Sequence, residues 1–356
     1  METITADYFK GRGAQFNPHN KFSKSNYVQA FPEVLDEPML VSQKTEIIYT
    51  YPKTIINKVE STDIGMAYSL NPYQGCEHGC VYCYARNTHE YWGYSAGLDF
   101  ERKIIVKKNA AELLEKEFSN KNWKPQPIML SGNTDCYQPI EKELQITRSI
   151  LKVCLKYKHP VSIITKNTLI IRDIDILTEL AEMDLVHVMI SVTGNDEKVR
   201  LLLEPRTSSY KKRMEVIAKL SKHGIPCGVM VAPIIPGINH HEIPKVIERA
   251  ANAGATSAGI TIVRLNGAVE HIFKDWLVKN FPDRASKVWN QISSCHGGKV
   301  GDSRKSVRLK GEGAVAESIM QLFQVSKAKF MQTTKEFKFQ LNYFNYKAGD
   351  KQLSLF

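Results

Sequence analysis

Three cysteines, Cys76, Cys80 and Cys83, fall within eight residues in the stretch Asn71-Pro72-Tyr73-Gln74-Gly75-Cys76-Glu77-His78-Gly79-Cys80-Val81-Tyr82-Cys83-Tyr84. Thiolates are the standing ligands of iron–sulfur clusters. Three of them on one short loop hold three irons of a cubane and leave the fourth iron open to a substrate or cofactor. Gly75 and Gly79 let the backbone turn around such a bulky inorganic core. A structural zinc site is the alternative, with His78 as its fourth ligand. Zinc loops usually join a Cys-x2-Cys to a second, distant pair, however, and the sequence has none. The chain carries seven cysteines in all. That odd, clustered set argues against a disulfide framework and for metal ligation in a reducing compartment.

A loop of this kind needs rigid elements to aim it. From Ala67 onward, short apolar β-branched runs alternate with longer amphipathic ones, the signature of parallel β/α architecture. Strands are predicted at 67–70, 127–130, 161–165, 186–192, 227–232 and 257–263. Apolar residues three and four apart predict helices at 110–118, 143–158, 174–183, 210–223 and 241–253, with stops at Gly224 and Gly254. The expected fold class is therefore α/β, a partial (β/α)6 barrel with terminal extensions. Active groups of such folds gather at the C-terminal ends of the strands. The cysteine loop, between the first strand and a helix, belongs there.

Four regions follow from this pattern. Residues 1–65 form an irregular N-terminal extension with a β-like patch at 46–50, and residues 66–275 form the barrel. Residues 276–347 make a basic, aromatic-containing region, and 348–356 a tail. Hydrophobic residues at 43% and charged residues at 24% suit a globular protein with a sizeable core. No run approaches the roughly 20 apolar residues of a membrane span. The start, Met1-Glu-Thr-Ile-Thr-Ala-Asp7, is no secretory signal, so a cytoplasmic protein without a membrane partner is expected. The net charge of +11 favours an anionic partner such as nucleic acid, or serves solubility alone.

Cys-x3-Cys-x2-Cys with aromatic Tyr82 before the third cysteine resembles the signature of the radical S-adenosylmethionine superfamily. Further blocks narrow the resemblance to the bacterial group related to spore photoproduct lyase. They are Asn71 to Arg86, Asp99-Phe100-Glu101, Asn133-Thr134-Asp135-Cys136-Tyr137-Gln138-Pro139-Ile140-Glu141, Thr165-Lys166 and Arg172-Asp173. Ile190-Ser191-Val192-Thr193, Glu204-Pro205-Arg206 and Ala232-Pro233-Ile234-Ile235-Pro236-Gly237 continue it. The resemblance implies a [4Fe–4S] cluster on Cys76, Cys80 and Cys83 with S-adenosyl-L-methionine chelating the open iron. It also implies an electron donor such as flavodoxin or ferredoxin, and hydrogen abstraction by a 5′-deoxyadenosyl radical. Carried over by position, Tyr82 lies against the adenine, Asn133 and Thr134 sit where relatives bind the methionine amino group, Lys166 faces the carboxylate and Ser191 the ribose. Asn133 and Ser191 are alternatively caps or turn residues.

Glu204-Pro205-Arg206 and Arg172-Asp173 read as structural ion pairs. Arg264, at a strand end, is positioned for an anionic substrate. Cys136 stands where relatives more often have proline. It is either a hydrogen donor or a small packing residue. The C-terminal Gln352-Leu353-Ser354-Leu355-Phe356 resembles the peptide by which bacterial polymerases and repair proteins dock onto the β sliding clamp. Its residues Gln352, Leu353, Leu355 and Phe356 either bind that partner or fold back on the chain. Residues 302–347 carry nine Lys or Arg against four Asp or Glu, with aromatics interleaved. They suit either contact with nucleic acid or an amphipathic helix packed on the barrel. The expected activity is radical chemistry on DNA near the replication clamp. The alternatives are the same chemistry on RNA, protein or a small molecule, and a non-catalytic DNA-associated iron–sulfur or zinc protein.

Overall fold

Short β-branched runs with one fully apolar face, ended by turns, become the strands of one large sheet. The structure, a computed structural model, describes residues 9–23, 44–61, 63–331 and 337–349. In chain order the strands are β1 (Glu46–Thr50), β2 (Ile56–Lys58), β3 (Tyr68–Leu70), β4 (Tyr73–Gln74), β5 (Lys103–Lys107), β6 (Ile128–Leu130), β7 (Val161–Thr165), β8 (Val186–Ser191), β9 (Cys227–Ile234) and β10 (Ser257–Ile262). Strands β3 and β6 to β10 pair in parallel and in sequence order, and β2 adds an antiparallel edge beside β3. Among the described residues no pairing joins β10 back to β2, so the sheet stays open. The six parallel strands are those expected, shifted by a residue or two at their ends.

Register explains why the sheet needs both a greasy and a polar-tolerant face. Leu70, Leu130, Ile163, Val188 and Cys227 lie side by side across five strands, each at most 1% exposed. They face the helix layer, where each large apolar side chain stabilises by roughly 1.5–3 kcal/mol relative to exposure. One residue earlier the row reads Ser69, Met129, Ser162 and His187, on the opposite face. Glycine is required on that inner face: a Cβ on Gly228 would lie 2.1 Å from Ser257 Oγ and 2.7 Å from Met189 Sδ.

The helices are α1 (Leu98–Arg102), α2 (Ala110–Phe118), α3 (Glu141–Leu144), α4 (Ile146–Tyr157), α5 (Ile174–Ala181), α6 (Glu197–Leu203), α7 (Tyr210–Lys222), α8 (Ile243–Asn252), α9 (Ala268–Asn280), α10 (Ala285–Ser294) and α11 (Gly313–Phe330). Gly224 and Gly254 take the expected left-handed caps, with φ of 70° and 94°. The helix expected over 143–158 is broken: Gln145 has φ 51°, and Glu141 then accepts from the Thr147 N–H at 3.0 Å to start α4 afresh. Helix α6, not foreseen, begins at Asp196, whose carboxylate accepts from the Lys198 N–H at 2.8 Å.

Two features of the extensions were not legible beforehand. A second sheet, in the order β1–β5–β4, ties residues of the N-terminal region to the segment after the cysteine loop. The basic C-terminal region packs inward: α11 lies on α8, Phe337 stacks on His187 at 5.2 Å, and Phe344 meets Phe118 edge-on at 5.8 Å. The packed alternative therefore describes α11, Phe337 and Phe344, while Tyr343 stays 47% exposed. Residues 352–356, with the clamp-like peptide, lie outside the described residues. No described helix is long and apolar enough to cross a membrane.

Candidate active site

The cysteine loop leaves β3 through β4 and enters a 3-10 helical turn, Tyr84–Trp92. Gly75 and Gly79 have φ of 77° and 68°, which side-chain-bearing residues rarely adopt. Main-chain bonds anchor the loop on three sides: the Cys76 N–H donates to Phe100 O (2.8 Å), the Val81 N–H to Leu203 O (3.0 Å) and the Arg206 N–H to His78 O (3.2 Å). Gln138 spans the loop from below, accepting from the Glu77 N–H at 3.0 Å and donating to Gly75 O at 3.2 Å. Arg86 and Glu101, each 0% exposed, pair at 2.5 Å, and Arg86 Nε donates to Cys80 O at 3.0 Å. Glu101 also accepts from the Gly13 and Ala14 N–H groups at 3.2 and 2.8 Å, so the N-terminal segment lies against the loop.

Cys76 and Cys80 are 8% exposed, and Cys83 is half-buried. All three are free thiols. Burial pushes the Cys76 thiol up, with Asp135, Cys80 and Cys83 adding to the rise. Burial likewise takes Cys80 to about 12, against the opposing pull of Lys166. Three soft donors that sense one another on one well-anchored loop fit a cluster, whose assembly displaces their protons. Among the described residues no three His, Cys, Asp or Glu side chains converge on a single ion. A cubane does not ask them to, because each thiolate takes a different iron. The zinc alternative also loses its fourth ligand. His78 Nδ1 faces Asp135 Oδ2 at 3.4 Å, and His78 Nε2 accepts from Asn167 Nδ2 at 3.2 Å.

Opposite the thiols stands a buried charge network. Glu204, 0% exposed, accepts from Arg213 Nη2 at 2.5 Å, from the Tyr82 hydroxyl in a short hydrogen bond, and from the Thr193 hydroxyl at 3.2 Å. Burial opposes its charge, but Arg213, Lys166 and the Tyr82 hydrogen bond hold its carboxyl at about 2. Glu204 therefore pairs with Arg213, not with Arg206 as the sequence suggested, because α7 folds back against the end of α6. Lys166 directly follows β7, with its Nζ 5.9 Å from the centre of the Tyr82 ring. Burial lowers its pKa, but nearby Cys80 and Glu204 raise it above the ordinary lysine value. Asp135 orients this strand end, accepting from the Lys166 N–H (2.8 Å) and the Thr165 hydroxyl (2.7 Å). Burial works against its charge as well, yet His78 and these hydrogen bonds keep it at about 2.

The remaining expected residues are placed as follows. The Asn133 N–H donates to Asn71 Oδ1 (2.7 Å) and its Nδ2 to the Thr88 hydroxyl (3.2 Å), at the C-terminal end of β6. Thr134 is 2% exposed and donates its hydroxyl to Tyr73 O at 2.7 Å. Ser191 is 3% exposed at the end of β8, on the same strand face as His187 and Met189, and its carbonyl accepts from Arg213 Nη1 at 2.9 Å. Cys136 has no exposed surface and sits in the main apolar core with Tyr73 and Tyr137. Arg172 forks onto Asp173 at 2.8 Å and reaches Glu141 at 2.7 Å, a structural brace that also takes in Arg148. Arg264 lies 5.7 Å from the centre of the Tyr84 ring. Sequence reasoning missed Arg213, Gln138 and the Arg86–Glu101 pair. No local spacing marked them, because each partner comes from a distant segment or meets a backbone group.

Comparison with known proteins bears on this arrangement. The profile of the Radical SAM superfamily matches residues 70–250. An uncharacterized protein of Mycobacterium tuberculosis is 32% identical over 238 residues, 66% of this chain and 70% of that protein. An uncharacterized protein of Methanocaldococcus jannaschii is 30% identical over 256 residues, 71% of this chain and 90% of that one. A radical SAM Nalpha-GlyT isomerase of Pseudomonas phage M6 is 26% identical over 233 residues, 64% of this chain and 45% of that one. Among solved structures, a mutant spore photoproduct lyase with bound AdoMet and dinucleoside spore photoproduct superposes with a TM-score of 0.58. It shares 16% identity and covers 83% of this chain and 82% of the lyase, a likeness of fold.

Proposed function

Since the chain belongs to the radical SAM superfamily, whose enzymes use a [4Fe–4S] cluster and S-adenosylmethionine, we propose that it abstracts hydrogen from a base in DNA, repairing or modifying that base. The bound cluster and cofactor supply a one-electron reductive cleavage that delivers a carbon-centred radical. Membership of an enzyme superfamily removes the non-catalytic iron–sulfur or zinc alternative. The chain's own residues do the rest. Cys76, Cys80 and Cys83 are the cluster ligands, held by the Gln138 and Arg86 struts. Tyr82, its hydroxyl fixed by Glu204, would lie against the adenine. Lys166 keeps a positive charge at the cluster face for the cofactor carboxylate. Asn133 and the turn that Thr134 secures meet the amino group, and Ser191 looks into the barrel toward the ribose.

The observation that carries the DNA assignment is the shared fold over 83% of the chain with a lyase holding a dinucleoside lesion, joined to a net charge of +11. The tail Gln352–Phe356 gives recruitment to the sliding clamp, Leu353, Leu355 and Phe356 filling an apolar groove while Gln352 supplies a hydrogen bond. A reductant such as flavodoxin or ferredoxin completes the system. Anaerobic incubation of the reduced, cluster-loaded protein with lesion-bearing DNA tests the reading. It predicts 5′-deoxyadenosine release together with a mass change in a base. Cofactor cleavage that leaves every lesion and base unchanged, but alters an RNA or peptide offered in parallel, overturns it.

A further inference from the structure

Lys107 ends β5 and is 8% exposed, yet its ammonium has no hydrogen-bond or ion-pair partner among the described residues. Burial alone lowers its pKa; no neighbouring charge pulls either way. Its aliphatic stem is buried while Nζ keeps contact with solvent, so the ammonium stands open to an anion. Lys107 lines a recess of about 340 Å³ together with Asn71, Gln74, Tyr91, Trp92 and Asn133.

The recess is framed by both flanks of the cysteine loop. Gln74 precedes Gly75 and Cys76, while Tyr91 and Trp92 close the 3-10 turn that follows Cys83. Gln74 Oε1 accepts from Trp92 Nε1 at 2.6 Å and so fixes the indole. Tyr91, although Phe22 packs against its ring at 4.9 Å, is 74% exposed, and Trp92 is 41% exposed. Asn133 connects the recess to the strand end assigned above to the cofactor. A ring-lined, amide-rich recess with one unpaired cation matches a planar heterocycle bearing a nearby phosphate.

We propose that this recess is a nucleotide subsite of the substrate: a base of an unpaired strand stacks on Tyr91 and Trp92, and an adjoining phosphate oxygen accepts from the Lys107 ammonium. The inference rests on the DNA reading and adds where the strand lies, beside the cluster and in reach of Asn133. Only unpaired or extruded nucleotides fit, because paired bases keep their faces stacked on one another.

The test is fluorescence anisotropy of a fluorescein-labelled ten-residue oligothymidylate on anaerobic, cluster-loaded, full-length protein, titrated at several salt concentrations. Lys107→Met weakens binding about tenfold or more, the loss typical of a charged hydrogen bond. It also reduces the slope of log Kd against log salt by about 0.7, the share of one single-strand phosphate. Lys107→Arg keeps the slope, and Tyr91→Ala weakens binding about fivefold or more without changing it. Lys107→Met folds, because methionine keeps the buried apolar stem, and its iron content and its spectral response to S-adenosylmethionine match the wild type. If Lys107→Met binds the strand with wild-type affinity and slope, the subsite is wrong and the DNA reading stands. If it keeps strand binding but loses the response to S-adenosylmethionine, the lysine serves the cofactor and the subsite is again wrong. If the wild-type protein binds no strand, both readings fall.

Discussion

Replacing Arg213 with methionine tests the buried network that fixes the Tyr82 hydroxyl beside the cysteine loop. Arg213 is fully buried and donates to Ser208 O (2.8 Å), Ser191 O (2.9 Å), Glu204 Oε2 (2.5 Å) and the Thr207 hydroxyl (2.5 Å). Methionine fills much of the same volume but leaves the Glu204 carboxylate buried with hydroxyl donors only. Breaking a buried pair from one side costs about 3–5 kcal/mol. At roughly 2–3 °C per kcal/mol for a chain of this size, Tm falls by about 6–15 °C. Glu204→Gln combined with Arg213→Met removes both charges, so the double variant recovers much of the loss. The coupling between the sites is then about 2 kcal/mol or more. The charged Glu204 contributes stability above its unfolded pKa, which disappears as pH falls toward about 2. The Arg213→Met penalty therefore shrinks in acid, where the orphaned carboxyl takes up a proton. The assay is urea and thermal unfolding of the anaerobic, cluster-loaded protein at pH 7 and pH 5. A loss below about 1 kcal/mol at pH 7, or a double variant no more stable than Arg213→Met alone, refutes the reasoning.

Two further outcomes follow from named groups. His159 is buried with Nε2 accepting from Trp123 Nε1 (3.1 Å) and Nδ1 donating to Pro160 O (3.0 Å), its ring stacked 4.1 Å from Phe118. Both bonds suit the neutral ring, and burial depresses its pKa to about 3. Its contribution is complete above the unfolded histidine value of about 6.5 and falls by up to about 1.4 kcal/mol per pH unit below it, toward pH 3. His159→Gln flattens that part of the urea-midpoint profile, and an unchanged slope contradicts the assignment. At Gly79 a Cβ would lie 2.9 Å from Glu101 Oε2 in a backbone with φ 68°. Gly79→Ala therefore strains the loop by about 1–3 kcal/mol and lowers iron retained per chain after desalting. Full retention speaks against a loop shaped by that turn.

Much of the frame was legible because each parallel strand is an apolar run closed by turn residues, and each core helix keeps its three- and four-residue spacing. What stayed hidden depends on partners distant in sequence. Lys103-Ile-Ile-Val-Lys107 is a plain β-branched run, but its strand neighbour Glu46–Thr50 lies far upstream, and α1 adjoins it directly. Glu-Pro-Arg suggested a local pair at Glu204, whereas the fold brings Arg213 from the next helix. The cysteine loop stood out for the opposite reason: a short loop carries all its chemistry in adjacent residues. The struts beneath it, Gln138 and Arg86, reach backbone carbonyls that no spacing rule marks.

The most direct measurement is metal and sulfide analysis of anaerobically reconstituted protein, with electron paramagnetic resonance of the reduced sample before and after adding S-adenosylmethionine. Three thiolates on three corner irons predict about four irons and four sulfides per chain. They also predict a signal that shifts with the cofactor and is lost in Cys80→Ala. Stoichiometric zinc without iron, or a cluster whose signal ignores the cofactor, contradicts the account at its root.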